Sequence, residues 1–133
     1  MALILIVDDE EMDRVLERTI LENAGHDLLF ASDGEHALKL CREEAVELVV
    51  TDLAMPDFNG LRFIKELREA GLYMPLIAVS GWAVDQLDLA QEYGADIILA
   101  KPVSGPQLLD AVEMGLHLPA LPDRMDPWRR VRK

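Results

Sequence analysis

The sequence predicts an α/β fold in which a doubly wound parallel sheet of five strands is covered by five helices as an α/β sandwich. Short apolar runs alternate along the chain with segments whose apolar residues recur at helical spacing. Most of the runs are continuously apolar, which is typical of strands buried on both faces of a parallel sheet. Strands and helices in alternation favour right-handed crossovers within one sheet.

Each predicted element rests on a local pattern. The strands are predicted at residues 3–7, 28–31, 48–51, 75–80 and 97–100, with the helices between them and after the last one. Glycines stand where the first, third and fourth helices should end, namely at Gly25, Gly71 and Gly94. Ser32 or Asp33 is the predicted N-cap of the second helix, and Ser104 is that of the fifth.

Size and composition are those of one domain in a reducing compartment. The chain has 133 residues, of which 50% are hydrophobic, and this is enough to bury a core. Its one cysteine, Cys41, excludes an internal disulfide and favours a cytoplasmic location. The apolar run at residues 2–7 has no basic segment before it and is too short to span a membrane. We therefore expect neither a signal peptide nor membrane insertion.

The charge of the chain is unevenly distributed. The net charge is −12, but residues 118–133 carry five basic and two acidic side chains, so residues 1–117 carry −15. An acidic body of this size disfavours direct binding of nucleic acid, because phosphate contacts require a basic face. The expected partner is a protein.

Polar side chains lie at the carboxyl ends of four of the five predicted strands. Asp8 and Asp9 follow the first strand, Asp52 follows the third, Ser80 ends the fourth, and Lys101 follows the fifth. Taken singly, each has an ordinary structural explanation, as a helix cap, a turn residue or a surface cation. In an open parallel sheet, however, ligands bind beyond the carboxyl ends of the strands, where these residues should meet. Together they predict a functional site.

The residue types at this edge indicate phosphoryl chemistry. Carboxylates that converge there repel one another, and a hard divalent cation relieves this repulsion. Mg²⁺ prefers oxygen ligands and commonly combines carboxylates with a phosphoryl oxygen. Lys101 would add positive charge, which suits the charge spread over a phosphoryl group during transfer. A carboxylate in the middle of the set can act as the nucleophile and form an acyl phosphate.

Four motifs in this order resemble a known family. They are ILIVDDE, VVTDLAMPDFNG, IAVSG at 77–81 and GADIILAKP at 94–102. Over roughly residues 3–117 the chain resembles the receiver domain of two-component response regulators, including the stand-alone, CheY-like type. The resemblance implies a flavodoxin-like, CheY-like three-layer α/β/α sandwich with strand order 2-1-3-4-5.

The resemblance also implies how the phosphoryl group is bound. Asp52 takes the position of the phosphoacceptor. Asp8 and Asp9 take those of the acidic pair that binds Mg²⁺ together with Asp52 and the backbone carbonyl of Ala54. Pro56 and Gly60 shape the loop after Asp52.

The remaining implied roles concern readout of the phosphoryl group. Ser80 takes the position of the switching hydroxyl, and Lys101 that of the cation paired with the phosphoryl group, with a cis peptide bond to Pro102. One position departs from the family pattern, because Ile98 stands where an aromatic residue is common. Signal transmission would then run through loop and backbone shifts or aliphatic repacking, with Trp82 as a further candidate.

The implied function is that of a phosphoacceptor in a phosphorelay. Asp52 would receive the phosphoryl group from a sensor histidine kinase or a histidine phosphotransfer protein. The chain would catalyse only its own phosphorylation and dephosphorylation. The surface of the fourth helix, fifth strand and fifth helix would then bind a downstream protein. A homodimer formed on phosphorylation is a further expectation.

The sequence also predicts the limits of the domain. Residues 1–117 are the predicted receiver, and residues 118–133 a basic tail with three prolines that is too short for an output domain. The chain is either a stand-alone receiver or a module of a larger protein, and the tail is either flexible or a docking peptide.

The alternative functions are those of a receiver-like binding module that acts without phosphorylation and of a small phosphatase of the haloacid dehalogenase type. The phosphatase would want its nucleophile after the first strand, in an Asp-x-Asp pattern.

Overall fold

The five predicted strands form one parallel sheet in the computed structural model of the protein, which describes residues 2–8, 11–55, 58–81 and 84–118. The strands are β1 (Leu3–Val7), β2 (Asp27–Ala31), β3 (Leu48–Asp52), β4 (Ala54–Met55), β5 (Phe58–Asn59), β6 (Leu76–Ser80) and β7 (Ile97–Ala100). The helices are α1 (Glu11–Asn23), α2 (Gly34–Glu43), α3 (Gly60–Glu69), α4 (Val84–Tyr93) and α5 (Gly105–Leu116). None of these described helices has both the length and the apolar character needed to cross a bilayer.

The sheet confirms the predicted topology. Its order is β2-β1-β3-β6-β7, which is 2-1-3-4-5 when only the five long strands are counted, and every neighbouring pair is parallel. The bounds of β1 and β7 are those predicted, and the other three strands differ by one residue at one end. The antiparallel pair β4 and β5 was not predicted.

Side chains on the two faces of the sheet form separate core layers. Alternate residues of a strand point to opposite faces, so Leu5 and Val7 pack in one cluster while Ile4 and Ile6 pack in the other. The first cluster includes residues of α2, α3 and α4, and the second includes residues of α1 and α5. This three-layer arrangement explains why the strands are apolar at consecutive positions rather than at every second one.

The predicted helix ends and caps are confirmed. Gly25, Gly71 and Gly94 have φ angles of 91°, 80° and 123°, in the left-handed region that favours glycine. Asp33 rather than Ser32 caps α2, because its carboxylate accepts a hydrogen bond from the His36 amide at 2.7 Å. Ser104 caps α5 in a reciprocal capping box with Gln107.

A buried arginine of α3 connects four elements at the amino ends of β6 and β7. The Arg68 side chain is 0% exposed and lies 3.2 Å from the carboxylate of Asp96. It donates to the Gly94 carbonyl at 2.9 and 3.1 Å and to the Leu72 carbonyl at 2.8 Å. Asp96 also accepts from the Leu76 amide at 2.9 Å. These bonds compensate the desolvation of both charges and tie α3 to the end of α4 and the starts of both strands.

Replacing Arg68 with methionine should lower the free energy of unfolding by about 3–5 kcal/mol, because the carboxylate of Asp96 would stay buried without its cation. Urea unfolding measures the change. Arg62→Met is the matched control on the same helix. The Arg62 side chain is 74% exposed and its ion pair with Glu66 is 3.5 Å long, so the control should lose less than about 1 kcal/mol. Equal losses in the two variants would contradict the assignment.

Cys41 should react slowly while the chain is folded. Burial raises the pKa of its thiol from 9.0 to about 11, and the positive charge of Arg68 opposes this shift only in part. At pH 8 its thiolate is roughly 100-fold scarcer than that of an ordinary thiol. Alkylation by iodoacetamide, followed by intact mass, should therefore be slow in buffer and fast in urea. Equal rates in the two conditions would show that the thiol is not buried.

The same pKa shift predicts how stability changes at alkaline pH. The folded chain holds the Cys41 proton more tightly than the unfolded chain, so the stabilisation is complete below pH 9.0 and is lost as the pH rises through about 11. Cys41→Ala should lack this part of the alkaline loss. Unfolding free energies measured across this range for both proteins test the prediction, and parallel curves would refute it.

Candidate functional site

The polar residues that follow the strands meet at the carboxyl edge of the sheet. Asp52 is the last residue of β3 and Ser80 the last of β6, while Asp8 directly follows β1 and Lys101 directly follows β7. The parallel register places these strand ends side by side, because Asp52 pairs with Val79 in β6 and Ser80 pairs with Ala100 in β7. Asp9 lies outside the described residues.

Asp52 is buried and bound to a lysine. Only 5% of its side chain is exposed, and its Oδ2 lies 2.6 Å from Nζ of Lys101. A hydrogen bond of this length between two charged groups is among the stronger polar contacts in proteins. The backbone around Asp52 is also held, since the Leu53 amide donates to the Val79 carbonyl at 2.9 Å. The carboxylate is therefore kept in place at the end of the strand, and its charge is offset.

Lys101 reaches Asp52 across an intervening strand, because β6 lies between β3 and β7. Two strand spacings amount to roughly 10 Å. Gly81, which follows β6, lets the lysine stem pass: a Cβ there would lie 3.3 Å from Cβ and 3.6 Å from Cδ of Lys101. No role was predicted for Gly81, although it stands within the motif IAVSG. Its signal was a glycine directly after a predicted strand.

Asp8 brings a second carboxylate to the same place. It is 4% exposed, and its amide donates to the Ala31 carbonyl at 3.1 Å, which continues the pairing of β1 with β2. Asp8, Asp52 and Lys101 line one cavity. The described residues include no cluster of three or more His, Cys, Asp or Glu side chains suited to a metal. Asp8 and Asp52 supply carboxylate oxygens, which are donors of the kind that Mg²⁺ prefers.

Ser80 and Lys101 are joined through the backbone. Ser80 is 2% exposed, and its carbonyl accepts a hydrogen bond from the Lys101 amide at 2.9 Å. The peptide bond from Lys101 to Pro102 is cis, as the resemblance implied. The end of β7 is thus tied directly to the residue predicted to sense the phosphoryl group.

The predicted loop and readout residues are only partly described. A Cβ on Gly60 would lie 2.8 Å from Cα of Leu53 and 3.2 Å from the Asp52 carbonyl oxygen, so glycine lets α3 begin against the end of β3. Ala54 begins β4, two residues after Asp52. Ile98 is half-buried and packs against the core layer of α2, α3 and α4. Pro56 and Trp82 lie outside the described residues, as do residues 119–133 of the predicted tail.

A cavity of about 470 Å³ extends from Asp52 towards α1 and the connection from β7 to α5. Besides the polar residues of the site, its lining includes six aliphatic side chains: Leu16, Ile20, Val50, Val79, Val103 and Leu108. The sequence alone does not predict this cavity. Leu16 and Ile20 contribute only to the helical spacing of apolar residues between the first two predicted strands, which is a weak signal for a concave surface.

Comparison with known proteins gives a consistent result. Residues 4–113 match the family model described as "Response regulator receiver domain". The chain is 39% identical over 103 residues to the alkaline phosphatase synthesis transcriptional regulatory protein PhoP of Bacillus subtilis, covering 76% of this chain and 42% of PhoP. It is 27% identical over 113 residues to the polar-differentiation response regulator DivK of Brucella anthropi, covering 83% of this chain and 92% of DivK.

A solved structure agrees with these relatives. The crystal structure of a response regulator receiver domain protein from Clostridium thermocellum superposes with a TM-score of 0.81 at 29% identity. The superposition covers 87% of this chain and 94% of that one. The chain spans less than half the length of PhoP, so its similarity concerns only a part of that protein.

Lys101→Met should lower the free energy of unfolding by about 1–2 kcal/mol, because the buried carboxylate of Asp52 would lose its charged donor. Urea unfolding without added metal measures the change, with Lys65→Met on the exposed side of α3 as the control. In an Asp52→Asn background the same substitution should cost less. A cost that does not change between the two backgrounds would show that the pair contributes no coupling.

Proposed function

The chain belongs to the response regulator receiver family, and we propose that Asp52 accepts a phosphoryl group from a phosphohistidine of a sensor histidine kinase or a histidine phosphotransfer protein. Receiver domains are signalling domains of two-component systems rather than classical enzymes. The chemistry proposed for this chain is therefore limited to its own phosphorylation and dephosphorylation. The observation that supports the proposal most directly is the buried carboxylate of Asp52, bound to Lys101 on a cavity that Asp8 also lines.

The proposed step uses groups that already lie together. A carboxylate oxygen of Asp52 attacks phosphorus, and the bond from phosphorus to the donor nitrogen breaks. Lys101, whose ammonium lies at the Asp52 carboxylate, stabilises the negative charge of the transferred oxygens. Ser80 at the end of the adjacent strand donates a hydrogen bond to one of them. Burial of Asp52 and Ser80 excludes bulk water from their side of the site.

The donor set fits a magnesium ion. Asp8, Asp9, Asp52 and the backbone carbonyl of Ala54 are the residues proposed to hold Mg²⁺. When bound, the ion would neutralise charge on the carboxylates and on the phosphoryl oxygens. Within the described residues, the supporting observation is that both Asp8 and Asp52 are buried and line the same cavity. Two like charges placed together in this way favour a cation beside them.

Phosphorylation would add a charge near −2. We propose that Ser80 and Lys101 respond to it and bias the surface of α4, β7 and α5 between two states with different protein partners. The hydrogen bond from the Lys101 amide to the Ser80 carbonyl supports this direction of transmission. A downstream protein target is the proposed partner of that surface, and dimerisation through it on phosphorylation is a further proposal.

We also propose limits for the receiver domain and a location for the chain. We assign residues 1–117 to the receiver, of which the family model matches residues 4–113. Residues 118–133 are proposed to form a basic segment outside the receiver. The single cysteine supports a cytoplasmic location.

Incubation with acetyl phosphate and Mg²⁺, followed by intact-mass measurement, tests the phosphoacceptor. The wild-type chain should gain one phosphoryl group, and Asp52→Asn should gain none. Asp57→Asn is the matched control, because Asp57 lies in the same motif VVTDLAMPDFNG as Asp52. This variant should be phosphorylated like the wild type. Lys101→Met should slow the reaction about 100-fold, because one charge-stabilising group is lost.

The outcomes distinguish phosphoryl transfer to Asp52 from the alternative function of a receiver-like module that acts without phosphorylation. No mass gain in the wild-type chain, or an equal gain in Asp52→Asn, would refute phosphoryl transfer to Asp52. A chain that stays unmodified yet binds partners would be the receiver-like module that acts without phosphorylation. Omission of Mg²⁺ should abolish the gain, and an unchanged rate in excess chelator would refute the proposed metal.

A further inference from the structure

The cavity beside Asp52 has the size and composition of a small-molecule site. Its volume of about 470 Å³ lies within the range of roughly 300–1,000 Å³ that is usual for ligand pockets, which are mostly apolar with a few convergent polar groups. The apolar walls come from four places, namely α1, the sheet, the connection from β7 to α5, and α5 itself. The polar wall holds the proposed nucleophile. A molecule bound here would have its polar end at Asp52 and Lys101.

The charges of the cavity lining limit its attraction for an anion, so binding of a phosphodonor depends on the apolar walls. The lining that the structure describes includes the carboxylates of Asp8, Glu17 and Asp52 and the ammonium of Lys101. Even with the charge of the proposed Mg²⁺ added, these described groups have no net positive charge, so charge alone does not attract a small anionic phosphodonor. Affinity for such a donor must come in part from contact between its organic group and Leu16, Ile20 and Val103. A donor with a single methyl group leaves most of these walls uncovered.

We propose, on the basis of the proposed phosphoacceptor function, that this cavity binds the apolar leaving group of small acyl phosphates. The chain would then take its phosphoryl group from an aromatic acyl phosphate in preference to acetyl phosphate. In a phosphoryl transfer the leaving group lies roughly in line with the attacking oxygen, on the far side of phosphorus. The cavity begins at Asp52 and has mostly aliphatic walls beyond it, so we assign it as the space for that group.

The step balances without a further reactant. With benzoyl phosphate, an oxygen of the ionised Asp52 carboxylate forms a bond to phosphorus. The bond from phosphorus to the benzoyl oxygen breaks, and its electron pair leaves with benzoate. The negative charge of the attacking carboxylate is replaced by that of the benzoate released, and no proton is exchanged.

Helix α1 offers a matched pair of residues for the test. Leu16 lines the cavity and is 57% exposed, whereas its neighbour Val15 is 56% exposed and is not among the lining residues. Replacing either residue with serine removes a similar exposed aliphatic side chain from the same helix. The substitutions should both leave the fold intact, because neither side chain belongs to the buried core. Only the change at Leu16 alters the wall of the cavity.

The experiment compares rates of phosphorylation by benzoyl phosphate and acetyl phosphate at equal Mg²⁺, measured by intact mass. The wild-type chain should show a kcat/KM at least about tenfold higher with benzoyl phosphate, as expected when an added apolar group fills an apolar pocket. Leu16→Ser should lower the ratio of the two rates about threefold to tenfold. Val15→Ser should leave the ratio unchanged. Dividing the rates cancels any general effect of a substitution on Asp52.

The possible results distinguish a failure of this inference from a failure of the proposed phosphoacceptor function. Phosphorylation by acetyl phosphate without a preference for benzoyl phosphate would overturn the inference and leave the phosphoacceptor proposal standing. A preference that Leu16→Ser and Val15→Ser reduce equally would also overturn it, because the cavity would not be its source. Phosphorylation by neither donor would refute the proposed function itself.

Discussion

The ion pair between Asp52 and Lys101 is the contact on which the site depends. A carboxylate that is 5% exposed at the end of a core strand is stable only if a cation or several donors compensate its charge. The cation comes from β7, two strands away, so the pair depends on the order β3-β6-β7. Gly81 leaves room for the lysine stem, because a Cβ there would lie 3.3 Å from Cβ of Lys101. The strand order and Gly81 thus contribute to the same 2.6 Å contact.

A second buried ion pair lies at the opposite edge of the same strands. Arg68 and Asp96 hold the turn from α4 to β7 against α3 and the start of β6. The ends of α4 and β7 that are remote from Asp52 are therefore fixed by buried hydrogen bonds. Their other ends adjoin Ser80 and Lys101. We therefore expect a rearrangement that starts at the carboxyl edge to move the near ends of α4 and β7 more than the far ends, which Arg68 holds.

The sequence predicted what depends on local pattern and missed what depends on packing between distant segments. Asp8, Asp52, Ser80 and Lys101 could be grouped in advance, because each follows an apolar run and parallel strands end at one edge. The burial of Arg68 could not, since its partner Asp96 is 28 positions away and its helix reads as ordinarily amphipathic. The strands β4 and β5 have two residues each, too few to show a period. The cavity depends on how α1 stands against α5, which no local pattern records.

Ile98 limits the routes by which a structural change at Asp52 could be transmitted to the rest of the domain. Its register partner is Ala78 in β6, and its side chain packs against the core layer of α2, α3 and α4. An aliphatic side chain has no polar group to exchange between the core and a surface partner, so leaving that layer would only lose apolar contact. The Ser80 carbonyl, in contrast, is bonded to the Lys101 amide at 2.9 Å. We therefore propose that a displacement of Ser80 towards a phosphoryl group would act on β7 through its backbone, with Ile98 kept in its place in the core.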